Sequence, residues 1–124
     1  MTQQIHTFLM FEGRAKEAME LYIDVLGGEI INLIPSEDGK VHHATFTLKG
    51  QEFMAIDSAI HHEFTFTPAI SMMVACESEE EIDRVYARLS EGGLVLMPLG
   101  ELPEFKKFCW IQDKFGVSWQ LTWS

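Results

Sequence analysis

The stretch HTFLMFEGRAKEAMELYIDVLGG, residues 6–28, decides the predicted fold because it contains one complete structural unit. It begins as an apolar strand, turns at Glu12-Gly13, continues as an amphipathic helix and ends at Gly27-Gly28. The stretch AISMMVACESEEEIDRVYARLSEGG, residues 69–93, repeats that order, and each Gly-Gly pair leads into another apolar segment, IINLIP or LVLMP. One unit recurring at a fixed offset is the signature of an internal repeat. The sequence therefore predicts two copies of one module.

Length and composition limit how these modules can be organised. The chain has 124 residues, of which 47% are hydrophobic, enough to bury one core but hardly two independent ones. We therefore expect a single domain over residues 1–124. Module one takes about residues 1–60, a linker about 58–68, and module two about 69–124.

The charge balance restricts the partners. Nineteen acidic and nine basic residues give a formal net charge of −10, which disfavours nucleic acid and would repel an anionic membrane surface. Met1 is followed by polar residues, and no window approaches the ~20 apolar residues of a membrane span. Cys76 and Cys109 stand alone in apolar runs without CxxC spacing, which favours two reduced, buried thiols. These features predict a cytoplasmic protein.

Apolar periodicity and turn residues predict the βαβββ order in module one. Residues 5–11 are almost wholly apolar, the pattern of a strand buried on both faces, and His6 is its conspicuous polar side chain. The following helix ends at Gly27-Gly28, which can supply a left-handed residue. Strands are predicted over residues 30–34, 41–48 and 51–56. The helix buries one stripe of side chains, namely Ala15, Ala18, Met19, Tyr22 and Leu26.

Module two follows the same order with a clearer helix start. Ser78 and Glu81 have the spacing of a capping box, and an apolar stripe from Ile82 to Leu89 precedes Gly92-Gly93. Further strands are predicted over residues 94–99, 105–111 and 117–123, the last two joined by a turn at DKFG. In the last strand, Ser118, Gln120 and Thr122 alternate with large apolar residues. This polar set faces either water or a concave space, and such a concave space could bind a small molecule.

Several motifs together resemble one known superfamily over nearly the whole chain. They are HTFL, LYIDVLGG, HATFTLKGQEFMAIDS, FTFTPAIS, GGLVLMPL and the closing WIQDKFGVSWQL. The chain resembles the vicinal oxygen chelate superfamily of glyoxalase I, bleomycin-resistance proteins and extradiol dioxygenases. Its closest similarity is to the PhnB-like branch, often labelled as a 3-demethylubiquinone-9 3-methyltransferase domain. The resemblance implies an α+β fold in which two tandem βαβββ modules form a strongly curved, mixed eight-stranded sheet, with helices outside and a concave cavity inside.

The resemblance also indicates where a metal would bind. Carried over by position, the superfamily's ligand positions fall on His6, Met54, Ala69 and Gln120. His6 is a good ligand, Gln120 a weak oxygen donor, and neither Met54 nor Ala69 can hold a hard or borderline divalent ion. No metal site and no cofactor are therefore expected. The pairs His42-His43 and His61-His62 are interpreted as solvated histidines, since adjacent residues of a strand point to opposite faces.

The same resemblance places a set of candidate residues in the concave space. His6 is either a hydrogen-bonded core histidine or a general base and ligand-binding group, with Gln120 as a second polar anchor. Asp57 is the nearest acidic candidate, although alternation places it on the other face from Met54. The other side chains expected to line the site are Phe8, Met10, Met54, Ser71, Met73 and Trp110.

Two classes of function remain open at this stage. The first is a metal-poor module that binds an apolar or aromatic small molecule. The second is a lyase, isomerase or dioxygenase-type enzyme acting on a small oxygenated substrate, with His6 as base or with a metal held by an unusual ligand set. Methyl transfer is not supported, because the turn at residues 11–14 contains a single glycine instead of a Gly-rich donor-binding loop. Similarity to the superfamily also implies a homodimer.

Overall fold

The computed structural model describes residues 3–124, which contain two helices and eight strands in the order βαβββ-βαβββ. Unit one, which ends at Glu63, contains β1 (Thr7–Phe11), α1 (Ala15–Leu26), β2 (Gly28–Pro35), β3 (Val41–Leu48) and β4 (Gln51–Asp57). Unit two, which begins at Phe64, contains β5 (Ser71–Ala75), α2 (Glu79–Ser90), β6 (Leu94–Leu102), β7 (Phe105–Gln112) and β8 (Ser118–Trp123). The division between the units falls inside the predicted linker.

Each unit has its own mixed four-stranded sheet with the same topology. The strand order is β1-β4-β3-β2 in unit one and β5-β8-β7-β6 in unit two. The pairs β1/β4 and β5/β8 are parallel, and the remaining neighbours are antiparallel. The predicted α+β fold of tandem βαβββ modules is confirmed, but its eight strands form two four-stranded sheets instead of the single eight-stranded sheet that was expected.

One helix covers one face of each sheet and forms the core of that unit. In unit one, α1 contributes Met19 and Tyr22, both fully buried, to the face that holds Phe46. In unit two, α2 contributes Ile82, Val85 and Leu89 to the face that holds Trp119. Burying one such side chain contributes roughly 1.5–3 kcal/mol. The predicted apolar stripes are therefore the surfaces that attach each helix to its sheet.

The two Gly-Gly pairs have the same two functions in their units. The first glycine of each pair, Gly27 or Gly92, has a positive φ of 87° or 75°, which residues with a side chain rarely adopt. The second glycine lies against a neighbouring strand. A β-carbon on Gly28 would lie 1.8 Å from the carbonyl oxygen of Thr47, and one on Gly93 would lie 2.0 Å from that of Gln112. Each pair therefore ends a helix and permits close strand contact.

The two helices begin in different ways. Arg14 precedes α1 without a side-chain cap, and Asp57 at the end of β4 supplies the missing acceptor. Asp57 Oδ1 accepts the backbone N–H groups of Gly13 at 2.8 Å and Ala15 at 3.0 Å, while Oδ2 accepts that of Val41 at 3.0 Å. These bonds place the carboxylate on the helix-covered face, as strand alternation predicted. Asp57 therefore fastens two backbone segments of unit one to the end of β4, namely the start of α1 and the start of β3.

The start of α2 follows the predicted capping pattern with one difference. Ser78 Oγ accepts the backbone N–H of Glu81 at 3.1 Å, as expected for the N-cap residue. The Glu81 carboxylate accepts the backbone N–H of Glu77 at 2.7 Å, although a reciprocal capping box would use that of Ser78. The predicted cap at Ser78 is confirmed, and the Glu81 carboxylate also binds the backbone one residue before it.

The edge strands β2 and β6, which follow the helices in the chain, are both longer than predicted. β2 extends over Gly28–Pro35 and β6 over Leu94–Leu102. Their ladders contain irregularities at matching places, between Ile30 and Asn32 in β2 and between Val95 and Met97 in β6. An extra residue in one strand lets pairing resume beyond the disturbance. β6 therefore continues past the point where its apolar pattern ends, whereas β2 gains most of its extra length at its start, where Gly28 and Glu29 pair with β3.

Candidate functional site

The open face of each unit is defined here as the sheet face opposite its helix. In unit one, a row of four paired residues crosses this face from β1 to β2, consisting of Phe8, Met54, Thr45 and Asn32. Phe8 is 52% exposed, a large value for an aromatic side chain in a strand. An apolar surface of this kind, with a few polar groups, is typical of a small-molecule site.

The open face of unit two carries the corresponding row. It consists of Met73, Gln120, Trp110 and Met97, which are paired in that order across all four strands. Met73 is 59% exposed and Met97 39% exposed, while Trp110 and Gln120 are partly exposed. The amide of Gln120 is thus a polar group flanked on both sides by apolar side chains. The sequence-predicted residues Met73, Trp110 and Gln120 are brought together here.

His6 has a partner that the sequence did not reveal. Its Nε2 lies 3.0 Å from Glu52 Oε1, and the histidine side chain is 15% exposed. If Nε2–H donates to the carboxylate, Nδ1 becomes the ring atom with a free lone pair. A carboxylate that orients an imidazole is the usual support for a histidine that accepts protons. His6 therefore has the surroundings of an oriented base or of a paired structural histidine.

Ser71 belongs to a hydrogen-bonded group on the open face of unit two. Its Oγ lies 2.7 Å from Ser118 Oγ, and the Trp110 indole Nε1–H donates to Ser118 Oγ at 2.8 Å. Ser118 is 2% exposed, whereas Ser71 and Trp110 are partly exposed. The polar residues of β8 therefore differ from one another. Gln120 is accessible, while Ser118 and Thr122 are buried and hydrogen-bonded within the sheet.

The ladder register corrects one assignment made from the sequence. Phe8 pairs with Met54 in unit one and Met73 pairs with Gln120 in unit two, so these pairs occupy equivalent positions. His6 precedes Phe8 by two residues, and Ser71 precedes Met73 by two. The counterpart of His6 is therefore Ser71 and not Ala69, which precedes β5. The contact between His6 and Glu52 likewise corresponds to that between Ser71 and Ser118.

The corrected positions do not fit the metal of the superfamily. His6, Met54, Ser71 and Gln120 offer one imidazole, one thioether, one hydroxyl and one amide. Divalent ions such as Zn²⁺ require several strong nitrogen, thiolate or carboxylate ligands. Within residues 3–124, no group of three or more His, Cys, Asp or Glu side chains is placed to hold a metal ion.

The remaining histidines contact local groups. His61 Nδ1 lies 2.9 Å from Glu12 Oε1, and the backbone N–H of His62 donates to Glu12 Oε2 at 3.2 Å. The bond from His61, followed by that from the His62 backbone, lowers the pKa of Glu12. His62 Nε2 lies 2.7 Å from Ser58 Oγ. On β3, His42 is exposed and His43 partly exposed. The pair 61–62 is thus fastened to the β1–α1 turn.

Sequence reasoning placed Ser118 on the polar face of β8 but missed Glu52, and it identified the partner of neither residue. Glu52 is two residues before Met54, and Ser118 is two residues before Gln120, so strand alternation places each on the open face. That signal was present in the sequence. Their partners were not visible, because the contacts join residues 46 or 47 positions apart.

Comparison with known proteins identifies the class of fold. A glyoxylase/bleomycin resistance protein/dioxygenase domain from Frankia sp. EAN1pec is 16% identical, with a TM-score of 0.73 over 100% of this chain and 93% of that chain. The chain thus has the fold of the vicinal oxygen chelate superfamily. A model of the family 3-demethylubiquinone-9 3-methyltransferase matches residues 3–122. The chain belongs to this family, whose PhnB-like members share the glyoxalase/bleomycin-resistance type of fold.

Two other solved structures show how uniform this fold is. A PhnB protein from Bacillus cereus, whose name carries the same methyltransferase label, is 54% identical. Its TM-score is 0.95, with 98% of this chain and 100% of that chain covered. The protein PA1353 from Pseudomonas aeruginosa is 28% identical, with a TM-score of 0.87 over 99% of this chain and 98% of that chain. A comparison with curated protein sequences gave no match.

Proposed function

We propose that the chain is a small-molecule-binding protein whose ligand is apolar or aromatic and contacts the open face of unit two. The observation that carries this proposal is the row of Met73, Gln120, Trp110 and Met97. Its two methionines are 59% and 39% exposed, which leaves apolar surface accessible around a single amide. Covering apolar surface releases roughly 25 cal/mol per Å², and a polar group among apolar ones fixes a ligand's orientation.

The side chains of the row suit this function individually. Methionine is flexible and polarisable, so Met73 and Met97 can adjust to the edge of a ring. Trp110 offers an aromatic face whose position is fixed by the bond to Ser118. Gln120 can donate through Nε2 and accept through Oε1, so it can recognise a carbonyl or a hydroxyl group.

The turn after β1 and the topology of the sheets differ from those that usually bind a methyl donor. Donor molecules of that size usually lie at a Gly-rich strand-to-helix turn of a parallel α/β sheet. Here the turn after β1 contains one glycine, Gly13, and each sheet contains a single parallel pair of strands. A fold name describes ancestry, and the site must support the chemistry by itself.

The proposal is tested by a thermal-shift screen of small planar aromatic compounds. We expect some of them to raise the melting temperature of the wild-type protein and to lose that effect in Gln120→Ala and Met73→Ala. Gln51→Ala is the matched control, because Gln51 is an exposed strand glutamine at the start of β4 in the other unit. Hits that respond equally to Gln51→Ala and Gln120→Ala would contradict this location of the site.

An enzymatic function is a second candidate, favoured by the contact between His6 and Glu52. In this alternative, Glu52 holds the Nε2–H of His6 and Nδ1 removes a proton from a small oxygenated substrate. The test follows exchange of acidic C–H protons of small ketones in D₂O by NMR. Catalysed exchange that disappears in His6→Gln and falls in Glu52→Gln would support it. Exchange that stays at the buffer rate with wild-type protein would exclude general-base catalysis on this substrate class.

We also infer a cytoplasmic homodimer, which is supported by several local features. Edge strands expose apolar side chains, among them Ile31, which is 51% exposed, and Leu94, which is 61% exposed. Long apolar edges are commonly covered by another chain. Cys76 and Cys109 are both free, as expected in a reducing compartment. None of the helices in the described part of the chain is long and apolar enough to cross a membrane. Light scattering should give about twice 14.2 kDa, and the monomer mass would contradict dimerisation.

A further inference from the structure

We propose that Ser118 is a positioning residue that aims the Ser71 hydroxyl outward as a hydrogen-bond donor, so that the open face of unit two selects neutral planar ligands bearing an acceptor oxygen. This inference rests on the proposed function and names the ligand class of the same site. Three side chains are joined in series by hydrogen bonds, from Trp110 to Ser118 at 2.8 Å and between Ser118 and Ser71 at 2.7 Å.

The direction of the hydrogen bonds follows from the burial of Ser118. Indole nitrogen can only donate, so Ser118 Oγ accepts from Trp110. Ser118 is 2% exposed, and a buried hydroxyl proton needs an acceptor. Ser71 Oγ is the acceptor that lies within hydrogen-bond distance. Ser118 O–H therefore donates to Ser71, and the proton of Ser71 is left to point away from this bond.

The exposed end of this series is the part that a ligand can reach. Ser71 is partly exposed and lies on the same face as Met73, two residues further along β5. Donation from Trp110 to Ser118 and from Ser118 to Ser71 polarises the last hydroxyl, which strengthens its own donation. Ser71 is thereby prepared to donate to an oxygen atom of a ligand that covers Met73 and Trp110.

The charge of the surroundings decides which kind of oxygen is accepted. No cationic side chain belongs to the row or to the adjacent serines; the row consists of Met73, Gln120, Trp110 and Met97. The chain carries a formal net charge of −10, which disfavours anions. A carboxylate or phosphate would therefore lose its hydration without compensation, whereas a ketone, lactone or amide oxygen needs only a donor. Ser71 lies diagonally from Gln120 across the ladder, a separation of roughly 7 Å that a fused two-ring ligand spans.

The experiment compares two compounds of the same shape, 1-indanone and indane, which differ by the carbonyl oxygen. Binding of each is measured by NMR titration against the wild-type protein and three variants. We expect the wild type to prefer 1-indanone by about fivefold, the usual value of one hydrogen bond. Ser118→Ala and Ser71→Ala should abolish this preference, which is measured as the ratio of the two affinities within each variant. Thr122→Val is the matched control, because Thr122 is another buried hydroxyl on the same face of β8, and it should keep the preference.

The Trp110 indole N–H signal supplies a second readout that does not depend on a ligand. It should exchange slowly with solvent in the wild type, Thr122→Val and Ser71→Ala, and quickly in Ser118→Ala, which removes its acceptor. Equal wild-type affinity for both compounds, or a preference that persists in Ser118→Ala and Ser71→Ala, would overturn the inference and leave the proposed function intact. If neither compound binds the wild-type protein at millimolar concentration, the ligand class is wrong. The thermal-shift screen then decides separately whether the site binds other molecules.

Discussion

Trp119 and Asp113 are joined by a buried hydrogen bond of 2.9 Å from the indole Nε1–H to the carboxylate Oδ2. The other oxygen of Asp113 accepts the backbone N–H groups of Phe115 at 2.9 Å and Val117 at 3.0 Å. One carboxylate, 3% exposed, therefore closes the turn before β8 and anchors the largest fully buried side chain of the structure as described.

This bond makes Trp119 a structural residue, in contrast to its neighbour Gln120. Trp119→Ala should cost ~3–5 kcal/mol of unfolding free energy and lower the melting temperature by more than about 10 °C, because it creates a cavity and removes a donor from Asp113. His6→Ala and Gln120→Ala should melt within a few degrees of the wild type. Thermal unfolding of the three variants measures this. A collapse of His6→Ala comparable to that of Trp119→Ala would mark the histidine as a structural core residue.

Asp57 should matter more for stability than the local cap of the second helix. Asp57→Ala removes the acceptor of three backbone N–H groups and should cost at least about 2 kcal/mol. Ser78→Ala removes one cap bond and should cost about 1 kcal/mol. Urea unfolding of both variants gives the comparison. Equal costs would mean that the N-terminus of α1 does not depend on the distant carboxylate.

Gly28 and Gly93 should tolerate no side chain. Gly28→Ala and Gly93→Ala would bring a methyl group to 1.8 Å and 2.0 Å from backbone oxygens, which forces a strand to move. Each should lower the melting temperature strongly or prevent soluble expression. Gly100→Ala is the matched control within a strand, since its nearest neighbour would lie 3.8 Å away, and it should be nearly neutral. Similar melting temperatures for all three variants would contradict the close contact.

Cys109 should be chemically inert in the folded protein. Burial raises the pKa of its thiol to about 12, so the reactive thiolate is scarce at neutral pH. A thiol reagent should therefore react slowly with native protein and at once after denaturation. Because the folded state holds this proton more tightly than the unfolded state, stability should fall as the pH rises from about 9. Cys109→Ala should lose less stability than the wild type between pH 9 and pH 11, and parallel curves would contradict the shift.

Metal content should be low in protein purified without chelator. His6, Met54, Ser71 and Gln120 provide one strong ligand between them, so we expect well under one equivalent of Zn, Ni, Fe or Mn. Elemental analysis of the wild type and His6→Ala gives the answer. A stoichiometric ion that disappears in His6→Ala would show that an unusual ligand set operates.

The helices, the order of the elements along the chain and the repeat could be predicted from the sequence because local signals determine them. Apolar spacing defines α1 and α2, and the Gly-Gly pairs mark their ends. The extension of β6 could not be predicted, because a bulge restores pairing through backbone geometry that leaves little trace in the residue types.

The sequence predicts which side chains of the candidate site share a sheet face, but it does not predict which of them form hydrogen bonds with one another. Alternation along β8 correctly grouped Gln120 with Ser118, and the register brings Met73 and Trp110 beside Gln120. The contacts of His6 with Glu52 and of Ser71 with Ser118 depend on which strands become neighbours. Which strands become neighbours depends on the parallel pairing of the first and last strands of each unit. Local sequence patterns do not predict this pairing.

The paired glycines also show which positions of the repeated module are constrained by its architecture. Backbone sterics require glycine at both Gly28 and Gly93. The side chains of the open faces carry no such constraint, and there the two modules differ, with an ionisable pair, His6 with Glu52, in one and a neutral pair, Ser71 with Ser118, in the other. One backbone design therefore accommodates two different chemistries.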